Sequence, residues 1–160
     1  MIESTPSRID SGNQGIKLQI VGSGPMQQYL QKIISDGGLE DEIVIINNAS
    51  DLSAILRNTD IYLCTSIFEG VSNAIMEAMA HSLPVVATNA GDNKLLVRDN
   101  LNGYILPIKD HIGIGNALST LMSDYRKRLA FGKKSYELLK QNHEQSVFRD
   151  RYLNFITEIQ

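Results

Sequence analysis

The chain of 160 residues is long enough for one globular domain with a full core, and two compact domains of ordinary size would strain its length. Its 42% hydrophobic and 21% charged residues are typical of a globular protein and exclude a disordered or fibrous chain. The net charge of −3 lacks the basic excess of nucleic-acid-binding proteins, so we expect a small molecule or a protein as partner and no nucleic acid.

The first segment, residues 1–15, is polar and rich in turn-forming residues, which predicts a disordered or linker tail. It lacks the apolar stretch typical of a signal peptide. No apolar run along the chain reaches the about 20 residues that a membrane-spanning helix needs. We therefore expect a chain that does not insert into a membrane.

From residue 16 onward, short apolar segments alternate with segments of helical periodicity. The predicted strands are KLQIV, EIVII, DIYLCTS, PVVAT and GYILP. The predicted helices between them are MQQYLQKIISDGG, SDLSAILRNT with Ser50 as its cap, SNAIMEAMAH and NKLLV. Nearly all-apolar strands separated by single helices predict a Rossmann-like, doubly wound α/β fold, whose parallel sheet is covered on both faces. After Pro107 the pattern predicts helices only, ending in VFRDRYLNFITEI.

The single cysteine, Cys64, cannot form a disulfide within the chain. It lies in the apolar segment DIYLCTS, where a buried structural thiol is the favoured interpretation. This usage of cysteine fits a reducing cytoplasm.

Ligands of a doubly wound sheet gather at the carboxyl ends of its strands, which makes the loops GSGP (22–25), NNAS (47–50) and TSIFEGVSN (65–73) candidate sites. Gly22 and Gly24 would let the backbone approach a phosphate at the start of the following helix. GSGP lacks the third glycine of the dinucleotide fingerprint and the Gly-Lys-Ser/Thr of the P-loop. A tight turn with Pro25 at the first helical position explains the motif about as well.

The segment FEGVSNAIME is more informative. Ser72 or Asn73 can cap the helix, which leaves the amides of residues 71–74 unpaired at the positive end of the helix dipole, where a diphosphate would fit. Glu69 precedes the helix and Glu77 lies one turn inside it, so both can face one pocket, and a carboxylate can bind two neighbouring sugar hydroxyls at once. The alternative is a solvated Glu69 and a Glu77 that the helix dipole favours, and spacing alone favours this alternative.

The segment EGVSNAIMEAMAHSLPVVAT resembles the signature of retaining, GT-B fold enzymes of glycosyltransferase family 4. In these enzymes Glu, seven residues and a second Glu precede an Ala-rich helix and a PVVAT strand. The resemblance extends from LQIVGSGP through GLEDEIVII, DIYLCTS and NLNGYILP to Pro107. It implies the C-terminal half of a GT-B fold followed by C-terminal helices, with residues 16–160 forming a nucleotide-sugar donor-binding domain truncated on its N-terminal side.

The resemblance also implies roles for individual residues. Glu69, the candidate catalytic residue, would hold hydroxyls of the donor sugar, and Glu77 would hold the ribose. Backbone amides between them would bind sugar and diphosphate, and the loop after the second strand would read the base. With the two glycines of GSGP, the implied substrate-binding residues are Glu69, Gly70, Val71, Ser72, Asn73, Ala74, Glu77, Gly22, Gly24, Asn48 and Ala49.

No metal and no cofactor is implied beyond the UDP- or GDP-linked donor, because amides and cationic side chains stabilise the departing nucleoside diphosphate in such enzymes. Glu69 is a candidate nucleophile for a double displacement. The family is more often described as reacting on one face of the sugar, with the leaving phosphate helping to deprotonate the acceptor.

Three features depart from the family pattern. The strand, the Arg- and Lys-bearing loop and the helix that usually precede IVGSGP are missing, and the spacing of Arg8 and Lys17 does not let them replace those cations. The N-terminal acceptor-binding domain is absent, so the chain would hold one wall of the cleft. The usual GGxxE after PVVAT reads GDNKL, beginning at Gly91.

We therefore expect the intact enzyme to transfer a hexose or N-acetylhexosamine from a UDP or GDP donor to a glycan or lipid-linked acceptor, with retention. The isolated chain would be inactive. The enzyme would lie in the cytoplasm, or at the inner face of the membrane through its acceptor domain. The alternative is a stand-alone nucleotide-binding or regulatory module without catalysis. A nicotinamide-dependent oxidoreductase is disfavoured, because IINNAS offers amides where that class needs an acid.

Overall fold

A computed structural model of the protein describes residues 15–143, in which five short strands alternate with six helices. The strands are β1 Leu18–Val21, β2 Ile43–Ile46, β3 Tyr62–Cys64, β4 Val85–Thr88 and β5 Gly103–Leu106. The helices are α1 Gln27–Asp36, α2 Leu52–Arg57, α3 Asn73–Ala80, α4 Asn93–Leu96, α5 His111–Ser123 and α6 Tyr125–His143. Each of the five predicted strands is present, and a helix follows each of the five, so the predicted α/β class is confirmed.

The chain divides into two compact units, Met1–Ile55 (unit 1) and Leu56–Gln160 (unit 2). The strands form two hydrogen-bonded parallel sheets that follow this division, in the orders β1–β2 and β3–β4–β5. The sequence predicts parallel pairing but does not indicate this division.

Unit 1 covers its sheet only in part. Helix α1 contributes one buried residue, Ile34. On the two strands, Leu18, Val21 and Val44 remain 39%, 40% and 48% exposed. Helical cover of the β1–β2 sheet is therefore incomplete within unit 1, where α1 is the one helix that lies wholly among the described residues.

The start of α2 differs from the predicted cap. The helix begins at Leu52, and the carboxylate of Asp51 accepts a hydrogen bond from the amide of Ala54 at 2.9 Å. Asp51 therefore stands in the N-cap position, and the prediction of Ser50 is wrong by one residue.

Unit 2 covers its central strand completely, since all four residues of β4 are buried. Val85 and Ala87 belong to a cluster that includes Ile75 and Met79 of α3. Val86 belongs to another cluster, with Ala117, Leu121 and Phe131 of α5 and α6. Successive residues of a strand point to opposite faces, so the two clusters lie on the two sides of this sheet.

The predicted tail, residues 1–15, lies outside the described residues except for its last position, and the segment VFRDRYLNFITEI lies wholly outside them. Among the described helices, none combines the length and the hydropathy that crossing a membrane requires.

Candidate functional site

In unit 2 the loops that follow β3 and β4 meet at the carboxyl edge of the sheet, because the strands are parallel. Gly91, after β4, has φ +51°, and a Cβ added to it would lie 1.9 Å from the carbonyl oxygen of Glu69. The amide of Asp92 also approaches the carbonyl oxygen of Gly70, at 3.4 Å. The backbone of Glu69 and Gly70 is therefore packed directly against the loop that follows β4.

Helix α3 begins as the sequence predicts, and Ser72 rather than Asn73 is its cap. The hydroxyl of Ser72, which is 3% exposed, accepts a hydrogen bond from the amide of Ile75 at 3.4 Å. Its carbonyl oxygen accepts one from the amide of Met76 at 3.2 Å. Within residues 15–143, the amides of residues 71–74 donate to no protein acceptor, which leaves four donors at the positive end of the helix.

Glu69 is half-buried and anchored by a side-chain hydrogen bond. The hydroxyl of Ser66 donates to its Oε1 at 2.7 Å. The hydroxyl of Thr88, at the end of β4, donates to the carbonyl oxygen of Ser66 at 2.5 Å. The alternative of a freely solvated Glu69 is therefore not what the structure shows.

Both predicted acids act electrostatically on one side chain of unit 2. The pKa of the half-buried Tyr62 is raised to about 12. Burial is the largest cause, and the negative charges of Cys64, Glu77 and Glu69 contribute progressively less. Glu77 itself is exposed on α3, one turn beyond the free amides. Along the chain, the four amides lie between the two carboxylates, and the negative charge of each carboxylate raises the pKa of Tyr62.

In unit 1 the loops after β1 and β2 also begin at one edge of their sheet, because the two strands are parallel; the first loop holds Gly22 and Gly24, and the second holds Asn48 and Ala49. The amide of Gly22 donates to the carbonyl oxygen of Ile46 at 3.0 Å and extends the pairing of the two strands. Gly22 has φ +141° and Asn48 has φ +51°, a left-handed conformation that asparagine tolerates better than most residues. A Cβ added at Gly22 or Gly24 would meet no atom within 4 Å, so the space beside the motif is open.

Pro25 does not occupy the first helical position. The helix begins at Gln27, and Met26 is its N-cap, without a side-chain hydrogen bond. The amide of Gln27 instead donates to the carbonyl oxygen of Gly24 at 3.1 Å, which closes a turn over Pro25. Of the predicted site residues, those of GSGP and NNAS therefore belong to unit 1, and those between Glu69 and Glu77 belong to unit 2.

Three residues that support Glu69 had no role in the sequence prediction: Ser66, which lies within the candidate loop 65–73, Thr88 and Gly91. A signal for two of them was available, because Ser66 and Thr88 are polar residues at the carboxyl ends of otherwise apolar strands, where site residues collect. In the sequence, Gly91 corresponds to the first glycine of the family's GGxxE segment, and the resemblance implies no contact for it. Its contact with Glu69 joins residues that are distant in sequence, so no local pattern indicates it.

Within residues 15–143, no group of three or more His, Cys, Asp and Glu side chains is arranged to hold a metal ion.

Residues 4–138 match the family described as Glycosyl transferases group 1. The chain is 25% identical over 142 residues to the lipopolysaccharide core biosynthesis glycosyltransferase LpsE of Rhizobium meliloti (strain 1021), a match that covers 89% of this chain and 42% of LpsE. It is 28% identical over 106 residues to the Escherichia coli UDP-Gal:alpha-D-GlcNAc-diphosphoundecaprenol alpha-1,3-galactosyltransferase, covering 66% of this chain and 27% of that enzyme. The chain thus spans less than half the length of these relatives.

Solved structures of glycosyltransferases share its fold. The C-terminal domain of the group 1 protein LpcC from Francisella tularensis superposes with a TM-score of 0.68 at 29% identity, covering 75% of this chain and 63% of that one. Staphylococcus aureus TarM, solved with UDP among its ligands, gives a TM-score of 0.82 at 23% identity, covering 91% of this chain and 30% of TarM. Because the family match spans most of its residues, and because the fold agrees with it, the chain belongs to the group 1 glycosyl transferases and has the α/β architecture of a GT-B half.

Proposed function

We propose that this chain is the donor-binding part of a retaining glycosyltransferase of family 4. In the intact enzyme it binds a UDP- or GDP-linked hexose or N-acetylhexosamine, whose sugar is transferred to a glycan or lipid-linked acceptor. One observation carries the proposal: the start of α3 presents four amides that donate to no described protein acceptor, directly after Glu69, whose carboxylate is held by Ser66. Family membership supports the reaction class.

The diphosphate binds at the start of α3. The cap formed by Ser72 occupies the amide of Ile75 and leaves the amides of Val71, Ser72, Asn73 and Ala74 available for anionic oxygens. The helix dipole favours negative charge at this end. The same donors stabilise the charge that develops on the departing nucleoside diphosphate, because they are already oriented before the reaction.

The two acids bind hydroxyls. Glu77, exposed on α3, accepts hydrogen bonds from the ribose diol. Glu69, half-buried and held by Ser66, accepts hydrogen bonds from the donor sugar. The backbone at Gly70 lies between them with open space where a side chain would project, so it offers room for the sugar.

In unit 1, the proposal assigns phosphate contacts to Gly22 and Gly24 and recognition of the base to the backbone of Asn48 and Ala49. Open space beside the two glycines supports the first assignment. The left-handed backbone of Asn48 supports the second, since residues held in sparsely populated conformations cluster at ligand sites.

The identity of the donor and acceptor is proposed from the relatives. TarM and the Anabaena protein HepE have been solved with UDP, and the E. coli relative is named for a UDP-galactose donor and a diphosphoundecaprenol-linked acceptor. These names support UDP as the first nucleotide to test and a lipid-linked acceptor. We propose that neither a metal nor a further cofactor takes part.

The acceptor wall of the cleft would come from a second domain outside this chain, which leaves the isolated chain inactive. The small shares of the relatives that this chain covers, 42% of LpsE and 27% of the galactosyltransferase, support this part of the proposal. The intact enzyme would work in the cytoplasm or at the inner face of the membrane.

Titration calorimetry of the intact protein with UDP and with GDP tests the nucleotide site. Glu77→Ala should weaken binding of the preferred nucleotide by about 1.5–3 kcal/mol, the contribution of hydrogen bonds to a charged group. Glu40→Ala, which removes an exposed acid from unit 1, serves as the control and should leave affinity unchanged. Equal affinity of wild type and Glu77→Ala would remove the ribose assignment.

Turnover tests Glu69. Glu69→Gln should reduce transfer or hydrolysis of the bound nucleotide sugar while sparing the affinity for the free nucleoside diphosphate. The anomeric configuration of the first product, observed by NMR, tests retention. Nucleotide binding without turnover of any UDP- or GDP-sugar would favour a regulatory module instead.

A further inference from the structure

We propose that Ser66 is a positioning residue for Glu69: its hydroxyl holds one carboxylate oxygen and thereby orients the other towards the donor sugar. The inference rests on the proposed function of Glu69 as the acid that binds this sugar. It adds a residue outside the Glu69–Glu77 segment to the site and specifies how the carboxylate is oriented before the donor binds.

The side chain of Glu69 needs such support because the neighbouring side chains pack little, although its backbone lies against the loop after β4. Ile67 and Phe68, which lie between Ser66 and Glu69, are 66% and 91% exposed. Gly70 follows without a side chain. A glutamate in this setting loses rotamer freedom when it binds a ligand, unless another group already fixes it. The 2.7 Å hydrogen bond from Ser66 to Oε1 supplies that constraint.

Ser66 is in turn fixed by the buried end of β4. Thr88, which is 1% exposed, donates from its hydroxyl to the carbonyl oxygen of Ser66 at 2.5 Å. The carbonyl oxygen of Thr88 accepts a hydrogen bond at 3.1 Å from Nδ2 of Asn93, which is 0% exposed. A continuous series of hydrogen bonds therefore runs from the core of unit 2 to the carboxylate of Glu69.

The hydroxyl contact leaves the carboxylate capable of binding sugar. Ser66 donates to Oε1 only, and a carboxylate has acceptor positions on both oxygens. Oε2 and the second lone pair of Oε1 remain for hydroxyls of the sugar. Loss of Ser66 would release rotation of the carboxylate and reduce binding of the sugar, while the nucleoside diphosphate would bind as before.

The experiment compares the affinities of the intact protein for UDP and for UDP-sugars by calorimetry. The probes are UDP, UDP-glucose, UDP-galactose and UDP-N-acetylglucosamine, with GDP and GDP-mannose as the second series. The measured quantity is the ratio of the Kd of the nucleotide to the Kd of the best nucleotide sugar. Ser66→Ala should lower this ratio about tenfold, leave the Kd of the nucleotide unchanged, and reduce kcat/KM for the same sugar in proportion.

Two variants control for chemistry and position. Ser66→Thr keeps the hydroxyl and should restore most of the ratio. Ser123→Ala removes a hydroxyl that bonds three residues away, to the carbonyl oxygen of Thr120 at 3.1 Å on α5, and should change nothing. If Ser66→Ala does not fold, Thr88→Val removes the hydroxyl that holds Ser66 and should give the same selective loss.

Glu69→Ala separates the failure of this inference from that of the proposed function. Ser66→Ala should have no further effect on the ratio when Glu69 is already alanine. If Glu69→Ala leaves the ratio unchanged, or no nucleotide sugar binds, the proposed function fails and the inference fails with it. If Glu69→Ala lowers the ratio but Ser66→Ala does not, or if their effects add, only the inference is overturned. An equal loss of affinity for UDP and UDP-sugar in Ser66→Ala would assign Ser66 a structural role and overturn it as well.

Discussion

Units 1 and 2 are built from similar apolar strands, yet they differ in how these strands are covered. All of β4 is buried in unit 2, where α3 covers one face, α5 covers the other, and α6 contributes Leu138 to the first face and Phe131 to the second. Among residues 15–55 of unit 1, Ile34 is the one buried hydrophobic side chain. Strand composition alone therefore does not decide burial, because burial also requires helices to cover each face.

The two units accordingly hold their loops by different means. In unit 2, side-chain hydrogen bonds from Thr88 and Ser66 connect the loop of Glu69 to a buried strand. In unit 1, the loops depend on backbone conformation at Gly22 and Asn48. We therefore expect substitutions at buried or closely packed positions of unit 2 to alter stability, and substitutions in the loops of unit 1 to alter ligand binding with little effect on folding.

The largest expected effect is the loss of stability on substitution of Gly91, with Gly70 of the same unit as the control. Gly91→Ala places a methyl group 1.9 Å from the carbonyl oxygen of Glu69 and forces a left-handed backbone on alanine, which by itself costs about 1–3 kcal/mol. Gly70→Ala meets no atom within 4 Å and should change the free energy of unfolding by less than about 0.5 kcal/mol. Urea unfolding of the intact protein measures both, and equal stabilities would show that the close approach is not maintained in solution.

The next effect tests the difference in burial directly with one chemical change in both sheets. Val86→Ala removes two methyl groups from a side chain that is 0% exposed and should destabilise the protein by about 2 kcal/mol. Val44→Ala makes the same change at a side chain that is 48% exposed and should cost less than about 0.5 kcal/mol. Similar costs, measured by thermal unfolding, would mean that the strand of unit 1 is covered in the intact protein.

A smaller effect concerns ligand binding in unit 1. Gly24→Ala has open space for its methyl group and no positive φ, so the unfolding temperature should stay unchanged. If a phosphate lies against this backbone, the methyl group should raise the Kd of UDP by about tenfold through loss of close approach. Calorimetry gives the Kd, and unchanged affinity would remove Gly24 from the proposed site.

The smallest expected effect is a change in the pKa of Tyr62, which tests whether Glu77 acts on this tyrosine in the absence of ligand. The pKa of Tyr62 is raised from 10.0 to about 12, chiefly by burial, so Glu77→Gln should lower this pKa by only a small part of the rise. Glu137→Gln, an acid of α6 paired with Lys134, is the control and should not shift the titration. Ultraviolet difference titration against a Tyr62→Phe background isolates this tyrosine, and an unchanged curve would place Glu77 away from it.

The same tyrosine predicts how stability changes at high pH. Because the pKa of Tyr62 is higher in the folded than in the unfolded chain, the folded state retains its proton between pH 10.0 and about 12 while the unfolded state loses it. The contribution is complete below pH 10.0 and is lost as the pH rises towards 12. Tyr62→Phe should therefore show a shallower fall in stability over this range, as measured by urea unfolding at each pH.

Much of the fold could be predicted from residue pattern, and the exceptions have identifiable causes. The strands, α1 and α3 lie where apolar periodicity predicts them, and Ser72 caps α3 as one of two predicted candidates, since these signals are local. The cap of α2 shifted from Ser50 to Asp51 because both residue types cap helices well, and neighbouring candidates differ little in energy. The exposure of Leu18 and Val44 could not be predicted, because it depends on which helices cover the sheet.

The amino-acid sequence by itself determined the alternation of strands and helices, the capped start of α3 between Glu69 and Glu77, and membership of a glycosyltransferase family. Only the tertiary structure decided how Glu69 is supported, through Ser66, Thr88 and Gly91. The contact between Thr88 and Ser66 joins residues 22 positions apart. Such contacts form only after parallel strands have paired, so they follow from the arrangement of the sheet and not from any short segment.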